Sequence, residues 1–391
     1  MLNFYWLLLL LPVAAASGWI AGKKSSQKKR QSFAGLSRRY MVGLNYLLNE
    51  QSDKAIDTFI HLLQVDSETV ETHLALGNLF RRRGEVDRAL RLHQNIIARH
   101  SFNNEVKQMA MFELGLDYLA AGVLDRAEVI FEELKHSQPY KKNSLKQLLQ
   151  IYQLTKDWEK AIQVAERLKL LQENYQNLCS HFHCEIAKTF IEQGELVEAT
   201  RQLLQAEKKD ATSVRVSMLQ GKICILEKNW EKAIGVYTKL IRQDALFCSE
   251  ILENLRICYQ SIPDDQGYQS LLKEALANGA SSKVLVALVE SIRKTQGDKA
   301  AGLFLTQYLK DKPSLRGLQL LIELHLLYAN DTAKESLLIL QSLIKDLIHS
   351  RAVYLCSQCG LQSKQLYWQC PSCKTWGSNK PILTLYNKPN S

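Results

Sequence analysis

A repeat with a period near 34 residues constrains this chain more than any other feature of its sequence. A small residue recurs near the start of an amphipathic helical pattern, at spacings of 34, 38, 34, 38 and 34 residues. The six marker residues are Ala55, Ala89, Ala127, Ala161, Ala199 and Ala233. Such a period is typical of tetratricopeptide repeats, each built from two helices, with four-residue insertions lengthening alternate repeats. The sequence therefore predicts an all-α array over residues 37–349.

Residues at fixed distances from the markers support the pairing of helices. Mostly small residues stand twelve positions before each marker: Gly43, Gly77, Gly115, Leu149, Ala187 and Gly221. Mostly aromatic residues stand nine positions before it: Tyr46, Phe80, Tyr118, Tyr152, Phe190 and Cys224. Four positions after each marker, on the same face of the second helix, come Phe59, His93, Phe131, Ala165, Leu203 and Tyr237. Gly267, Ala300 and Ala333 continue the steps, which gives about nine repeats. Because one pair cannot bury its apolar face alone, we expect the pairs to stack into a superhelix with a concave surface for protein segments.

Two Cys-x-x-Cys pairs at the end of the chain predict a metal site. The pairs are Cys356 with Cys359 and Cys370 with Cys373, separated by ten residues. Two such turns complete the tetrahedral sulfur shell that zinc or rubredoxin-type iron prefers. Four ligands leave no open position, so we expect one structural ion, zinc or iron, in a small ribbon over residues 350–391. A redox dithiol pair or a disulfide is the alternative, but redox chemistry needs only one such motif.

The other cysteines and histidines favour a packed core over further sites. Nine cysteines are present, and the five outside the ribbon follow no regular framework, which indicates a reducing compartment. Cys179 and His183 would share a helix face in the segment that ends at Cys184, but free cysteine is among the most buried residue types. We therefore interpret that segment, and His93, as core. The sequence has no P-loop, His-Glu-x-x-His pair or Gly-x-Ser-x-Gly elbow, so we expect no enzyme and no catalytic residue.

The start of the chain predicts a membrane anchor. Residues 1–22 carry no charge, and their apolar run is long enough to cross a hydrocarbon core of about 30 Å. A basic linker over residues 23–36 follows, and positive charge stays on the cytoplasmic side, so we expect the body to face the cytoplasm. A cleaved signal peptide is the rival interpretation because residues 13–17 resemble a cleavage site, but no basic side chain precedes the apolar run.

The net charge of +10 lies at the two ends of the chain. Residues 1–39 hold seven basic side chains and residues 350–391 hold five, with no acidic side chain in either range. The long central part is close to neutral, which gives no reason to expect a nucleic acid as partner. Aromatic residues of the tail, such as Trp368 and Trp376, could contact nucleic acid, but a metal ribbon this small also needs aromatic side chains as its core.

The order of anchor, basic linker, tetratricopeptide array and rubredoxin-like ribbon resembles the lipopolysaccharide assembly protein B family of Gram-negative bacteria. The most specific matching stretches are residues 75–94, Leu148-Leu-Gln-Ile-Tyr-Gln153, Val164-Ala-Glu-Arg-Leu168, His181-Phe-His-Cys-Glu185 and Leu366-Tyr-Trp-Gln-Cys-Pro-Ser-Cys373. The four ribbon cysteines match the family's metal ligands one for one. The linker is unusually rich in lysine, a departure that leaves the repeats and the ribbon untouched.

The resemblance implies regulation of lipopolysaccharide synthesis at the bacterial inner membrane. Family members act with the membrane protease FtsH to promote turnover of LpxC, the deacetylase that commits precursor to lipid A, and are thought to gather synthesis enzymes. We therefore expect a non-enzymatic, single-pass adaptor whose partners are FtsH, LpxC and other lipopolysaccharide synthesis or transport proteins. A rubredoxin-like electron carrier and a zinc ribbon that binds nucleic acid stay open as alternatives, and so does formation of a homodimer.

Overall fold

The computed structural model of the protein describes residues 70–99, 103–171 and 175–382, together with isolated positions between residues 41 and 58. The predicted anchor over residues 1–22, the linker over residues 23–36 and the first marker, Ala55, lie outside these residues. Within the described ranges, no helix has both the length and the apolar character that crossing a membrane requires.

Sixteen α-helices occupy the described residues between 70 and 349. In chain order they are α1 (Val70–Arg82), α2 (Val86–Ile97), α3 (Asn104–Ala120), α4 (Leu124–Leu134), α5 (Lys141–Thr155), α6 (Trp158–Lys169), α7 (Gln176–Gln193), α8 (Leu196–Lys209), α9 (Val214–Leu226), α10 (Trp230–Gln243), α11 (Cys248–Ser261), α12 (Asp265–Ala277), α13 (Ser282–Gln296), α14 (Asp298–Asp311), α15 (Leu315–Leu326) and α16 (Asp331–His349). A short 3₁₀ helix, Ala245–Phe247, precedes α11. The helices form eight consecutive pairs, which confirms the predicted helical repeat architecture.

The chain divides into two compact units, one ending at Ile151 and the other beginning at Tyr152. In the first unit, a buried polar cluster ties three helices together. Arg81 of α1 donates to Asp117 Oδ1 of α3 at 2.7 Å, and Asp117 Oδ2 lies 2.5 Å from His93 Nδ1 of α2. Asp117 and His93 are fully buried. His93 is thus a packed histidine, as the sequence predicts.

The marker alanines occupy one equivalent position in five helix pairs. Each is the fourth residue of the second helix, and each is fully buried. In the later pairs the buried residues at this position are Tyr268 and Ala301, whereas the predicted markers Gly267 and Ala300 are partly exposed. The predicted register is therefore one residue early in this part of the array. The ring of Tyr268 occupies the position that an alanine methyl group occupies in the earlier pairs. A pattern of small residues therefore selects the neighbouring Gly267.

A glycine in the first helix receives an aromatic ring from the second helix in three pairs. The contacts are Gly77 with His93, Gly115 with Phe131 and Gly221 with Tyr237. A Cβ atom added to these glycines would lie 2.3, 2.7 and 2.3 Å from the ring, respectively. In α7 and α8 the same two positions hold Ala187 and Leu203, which belong to one buried cluster. A larger residue in the first helix is thus accompanied by a non-aromatic residue in the second.

A left-handed residue stands two positions before the second helix in five pairs. The φ angles are 82° at Gly84, 74° at Gly122, 60° at Lys156, 84° at Gly194 and 58° at Lys228. Glycine adopts this conformation without a steric penalty, while a residue with a Cβ atom does not. All five positions lie five residues before a marker, a regularity that is visible in the sequence.

In the second unit, a three-stranded antiparallel sheet follows α16. Its strands are β1 (Tyr354–Cys356), β2 (Gln362–Ser363) and β3 (Asn379–Pro381), in the order β2-β1-β3. Tyr354 pairs with Ser363 on one side and with Pro381 on the other. Leu366 and Trp368 of the ribbon pack against the large buried cluster of the second unit's helices. The ribbon is therefore packed onto these helices.

Candidate metal centre

Two tight turns of the ribbon present the cysteine pairs. Cys356 ends β1, and Cys359 is followed by Gly360, whose φ is 75°. In the second turn Cys373 is followed by Lys374, whose φ is 60°. The amide of each left-handed residue donates to the carbonyl of the first cysteine of its turn at 2.9 Å. The two turns therefore share one backbone form.

The four cysteine sulfur atoms lie where one metal ion would bind them. Cys356 Sγ lies 3.7 Å from Cys373 Sγ, and Cys359 Sγ lies 3.7 Å from Cys370 Sγ. All four sulfur atoms lie within 4.8 Å of one another. A tetrahedral ion with metal–sulfur bonds of about 2.3 Å holds its ligands about 3.8 Å apart. The structure thus confirms a site for one structural metal ion, and the spacing fits zinc and iron alike.

The surroundings of the sulfur atoms affect their protonation differently. Burial raises the pKa of the Cys356 thiol, but its hydrogen bond with Ser378 and those with backbone amides of its turn outweigh burial and lower the pKa to about 6. Ser378 Oγ lies 3.2 Å from Cys356 Sγ. Burial raises the pKa of the Cys370 thiol to about 11. Because metal ions bind thiolates, metal binding at neutral pH must displace the Cys370 proton.

The segment from Cys179 to Cys184 does not gather metal ligands. Both cysteines are buried, and burial raises the pKa of the Cys184 thiol to about 12. His183 Nδ1 lies 2.8 Å from Gln202 Oε1 of the neighbouring helix. Within the described ranges, the ribbon cysteines are the only cluster of three or more potential metal ligands. The prediction that these two cysteines belong to the core is confirmed, while His181 faces the ribbon.

Trp376 of the ribbon inserts among helix residues of the second unit. Its indole Nε1 donates to Gln153 Oε1 at 2.9 Å. Its ring meets Trp158 and Phe182 edge to face, each at 5.8 Å between ring centres, and lies 5.3 Å from the ring of His181. Burial, followed by the charge of a nearby arginine, lowers the pKa of His181 to about 4. The imidazole is therefore neutral at physiological pH.

Arg215 of α9 joins the two ribbon tryptophans to the helices. Its guanidinium lies 5.3 Å from the ring centre of Trp368 and 5.7 Å from that of Trp376. The side chain is only 4% exposed and donates to Glu185 Oε1 at 2.5 Å. Trp368 also stacks on Phe247 at 5.7 Å, with 10° between the ring planes. The arginine thus combines a buried ion pair with two cation–π contacts.

Two polar contacts complete the attachment of the ribbon. Tyr354 donates its hydroxyl to Glu250 Oε1 at 2.7 Å, and Lys380 Nζ lies 3.4 Å from Asp244 Oδ2. These residues and Arg215 were not predictable from the sequence, because contacts between distant segments leave no periodic signal. One usable signal was present: the uncommon segment 156–162, Lys-Asp-Trp-Glu-Lys-Ala-Ile, returns at 228–234 with Asn in place of Asp. The first copy supplies a tryptophan to the ribbon.

Two family models match parts of this chain. The family model for the rubredoxin metal binding domain matches residues 354–381, and a tetratricopeptide repeat model matches residues 72–105. A solved tetratricopeptide repeat protein from Parabacteroides merdae is 12% identical, with a TM-score of 0.32 over 71% of this chain and 100% of its own.

Two curated relatives extend over almost the whole chain. Lipopolysaccharide assembly protein B of Escherichia coli K12 is 40% identical over 382 residues, covering 97% of this chain and 98% of its own. The Haemophilus influenzae protein of the same name is 35% identical over 388 residues, covering 96% and 98%. With the helix pairs and the four-cysteine ribbon in place, this chain belongs to the lipopolysaccharide assembly protein B family.

Proposed function

We propose that this protein is a non-enzymatic adaptor in lipopolysaccharide assembly that promotes FtsH-dependent proteolysis of LpxC at the bacterial inner membrane. The observation that carries the proposal is the relationship, over nearly the full chain, to proteins named for lipopolysaccharide assembly. The name of these relatives supports a role in lipopolysaccharide assembly. The protease, its substrate and a scaffold role for other synthesis enzymes are our inference from the family resemblance.

The physical character of both parts of the molecule supports binding rather than catalysis. A site with four thiolate ligands leaves no position at which a substrate could reach the ion. Helix-pair repeats offer extended surfaces that suit protein segments. The ribbon is attached to the helices by a buried arginine and two tryptophans, so it adds a second, rigid surface beside the repeats.

A membrane anchor over residues 1–22 would place this body in the same plane as a membrane protease. Confinement of two proteins to one membrane raises their effective concentration without any new contact between them. An adaptor of this kind needs only modest affinity for the protease and for its client. The basic linker over residues 23–36 would strengthen the association with anionic lipid, by about 1 kcal/mol per charge.

The test is the half-life of LpxC in native cells, measured after synthesis is blocked, with this protein present and then depleted. We expect depletion to lengthen the half-life and re-expression to restore it. A second FtsH substrate serves as the control, since its turnover must stay unchanged if the protein acts as an adaptor and not as a general activator. An unchanged LpxC half-life would contradict the proposal, and cross-linking would then identify the proteins that bind the repeats.

A further inference from the structure

A small basic pocket lies where the ribbon meets the starts of α13 and α15. Its volume is about 140 Å³. Ser281 and Ser282 line it from the start of α13, Ser314 and Leu315 from the start of α15, and Val353 and Ile382 from the ribbon. The lining also includes Lys283, Arg316 and Arg351, and it contains no acidic residue. The pocket is separate from the metal site.

The three cations of this pocket have no counterion within the described part of the chain. No ion pair involves Lys283, Arg316 or Arg351 there, although the first two are partly buried. The nearby carboxylate of Glu250 is already engaged, because it accepts hydrogen bonds from Tyr354 and Ser249. Partly buried cations are unfavourable without a partner, so the pocket suits an anion from outside the chain.

Both helices direct their N-terminal ends at the pocket. α13 has 15 residues and α15 has 12, and residues of both first turns line this one pocket, so the two N-terminal ends lie close together. The first N–H groups of a helix have no acceptor within it, and the helix dipole adds partial positive charge at this end. Such ends bind phosphate and other anions in many folds.

Ser281 supplies an independent sign of a missing ligand. It occupies the N-cap position of α13, yet its hydroxyl makes no capping bond, whereas the hydroxyl of Ser314 accepts the amide of Gly317 at 3.1 Å. Ser281 is only 9% exposed, and its Oγ is buried without a hydrogen-bond partner. A buried hydroxyl normally has a partner. An acceptor atom bound in the pocket would provide one.

We propose that this pocket binds a phosphate group, carried by a lipid headgroup or by a small solute. Three cations, backbone amides of two helices and one hydroxyl can satisfy the several oxygen atoms of a tetrahedral, multiply charged anion. A carboxylate has only two oxygen atoms and would use fewer of these donors. The proposal goes beyond the adaptor function above and does not depend on it.

The first test titrates the full-length protein with inorganic phosphate at constant ionic strength, followed by calorimetry and by the shift in thermal midpoint. We expect saturable binding by the wild type. The pocket variant Lys283→Gln/Arg316→Gln should bind at least about tenfold more weakly, since hydrogen bonds to charged groups are strong. The matched control Lys299→Gln/Lys310→Gln removes two exposed cations from α14 and should bind like the wild type. Ser281→Ala should weaken binding several-fold without lowering the midpoint of the free protein.

A second arm identifies the source of the phosphate. The same variants are mixed with phosphatidylcholine vesicles that contain phosphatidic acid, which has a phosphate monoester headgroup, or phosphatidylglycerol, which does not. Weaker binding of the pocket variant than of the control to phosphatidic acid vesicles indicates a lipid headgroup. Saturation by inorganic phosphate without that difference indicates a solute. The proposal is wrong if neither probe distinguishes the pocket variants from the control.

Discussion

Single side chains decide how closely the two helices of a repeat approach. The ring of Tyr237 lies directly over Gly221, where a Cβ atom would be 2.3 Å away. We expect Gly221→Ala to lower the free energy of unfolding by about 1–3 kcal/mol, because the added methyl group forces the ring or the helix to move. The urea midpoint measures the loss, and hydrogen exchange of α9 and α10 tests whether it is local.

Gly235 of the same helix pair is the matched control. It lies on the exposed face of α10, and nothing stands within 4 Å of a Cβ atom added there. Gly235→Ala should raise the free energy of unfolding by about 0.5–1 kcal/mol, since alanine loses less backbone entropy in a helix. Tyr237→Leu should partly rescue Gly221→Ala, as the natural pair Ala187 and Leu203 suggests. Equal effects of the two glycine substitutions would contradict this account.

At the turn before α10 a lysine has a left-handed conformation, and here we expect a change to glycine to stabilise the protein. Lys228 has a φ of 58°, and three equivalent turns of other pairs have glycine. We expect Lys228→Gly to stabilise the protein by up to about 1 kcal/mol, because the steric penalty of a Cβ atom in this conformation exceeds the entropy that glycine adds to the unfolded chain. Lys228→Ala, which keeps the Cβ atom, should bring no gain. The urea midpoints of the two variants test the difference.

His181 makes the stability of the second unit depend on pH. Burial, and then the charge of Arg215, lowers its pKa to about 4, while Asp210 opposes the effect; an unfolded histidine titrates near 6.5. Between these values the unfolded chain binds more protons than the folded one. This histidine alone therefore lowers the stability by about 3 kcal/mol as pH falls from about 6.5 to about 4. His181→Gln should give a shallower fall in the urea midpoint, and parallel curves for the two proteins would refute the assignment.

At the scale of elements, repetition made the fold predictable. Five marker alanines recur at spacings near 34 residues and all are buried, because each repeat solves the same packing problem. The predicted marker lies one residue early at Tyr268, because the pattern selects small residues and not buried ones. The four metal ligands were predictable because two local turns suffice to present them. The contacts of the two ribbon tryptophans with the helices were not, because they join segments more than a hundred positions apart.

Loss of the metal should unfold the ribbon and leave the helices intact. Cys356→Ser removes a buried ligand, and the sheet has only eight strand residues, too few to form a stable core without the ion. We expect metal content to fall and the amides of residues 354–381 to lose protection from hydrogen exchange, with the helical circular dichroism nearly unchanged. We also expect this variant to fail in LpxC turnover. Ser372→Ala, which alters an exposed side chain between two ligands, should retain metal, protection and activity.

At the scale of the molecule, contacts between the ribbon and the helices join the two parts of the second unit. The metal shapes the ribbon, and the ribbon then places Trp368 and Trp376 against Arg215. Neither the helical period nor the cysteine spacing encodes this arrangement. It depends on a buried arginine that the sequence shows only as one of many cations. Attachment to the helices therefore depends on metal binding, whereas we expect metal binding not to depend on attachment, so that a variant can weaken the attachment and keep the metal.

Arg215→Lys tests that separation directly. Lysine can keep the charge opposite Glu185, but it lacks the planar group that lies over both tryptophan rings, so we expect the ribbon to bind the helices more weakly by about 1–3 kcal/mol. Proteolysis between residues 350 and 353 should accelerate, while metal content stays equal to that of the wild type. Arg242→Lys, at an exposed ion pair with Glu274, is the control and should change neither. If Arg215→Lys lost its metal as well, attachment would be needed to form the ribbon, and the two properties would not be separable.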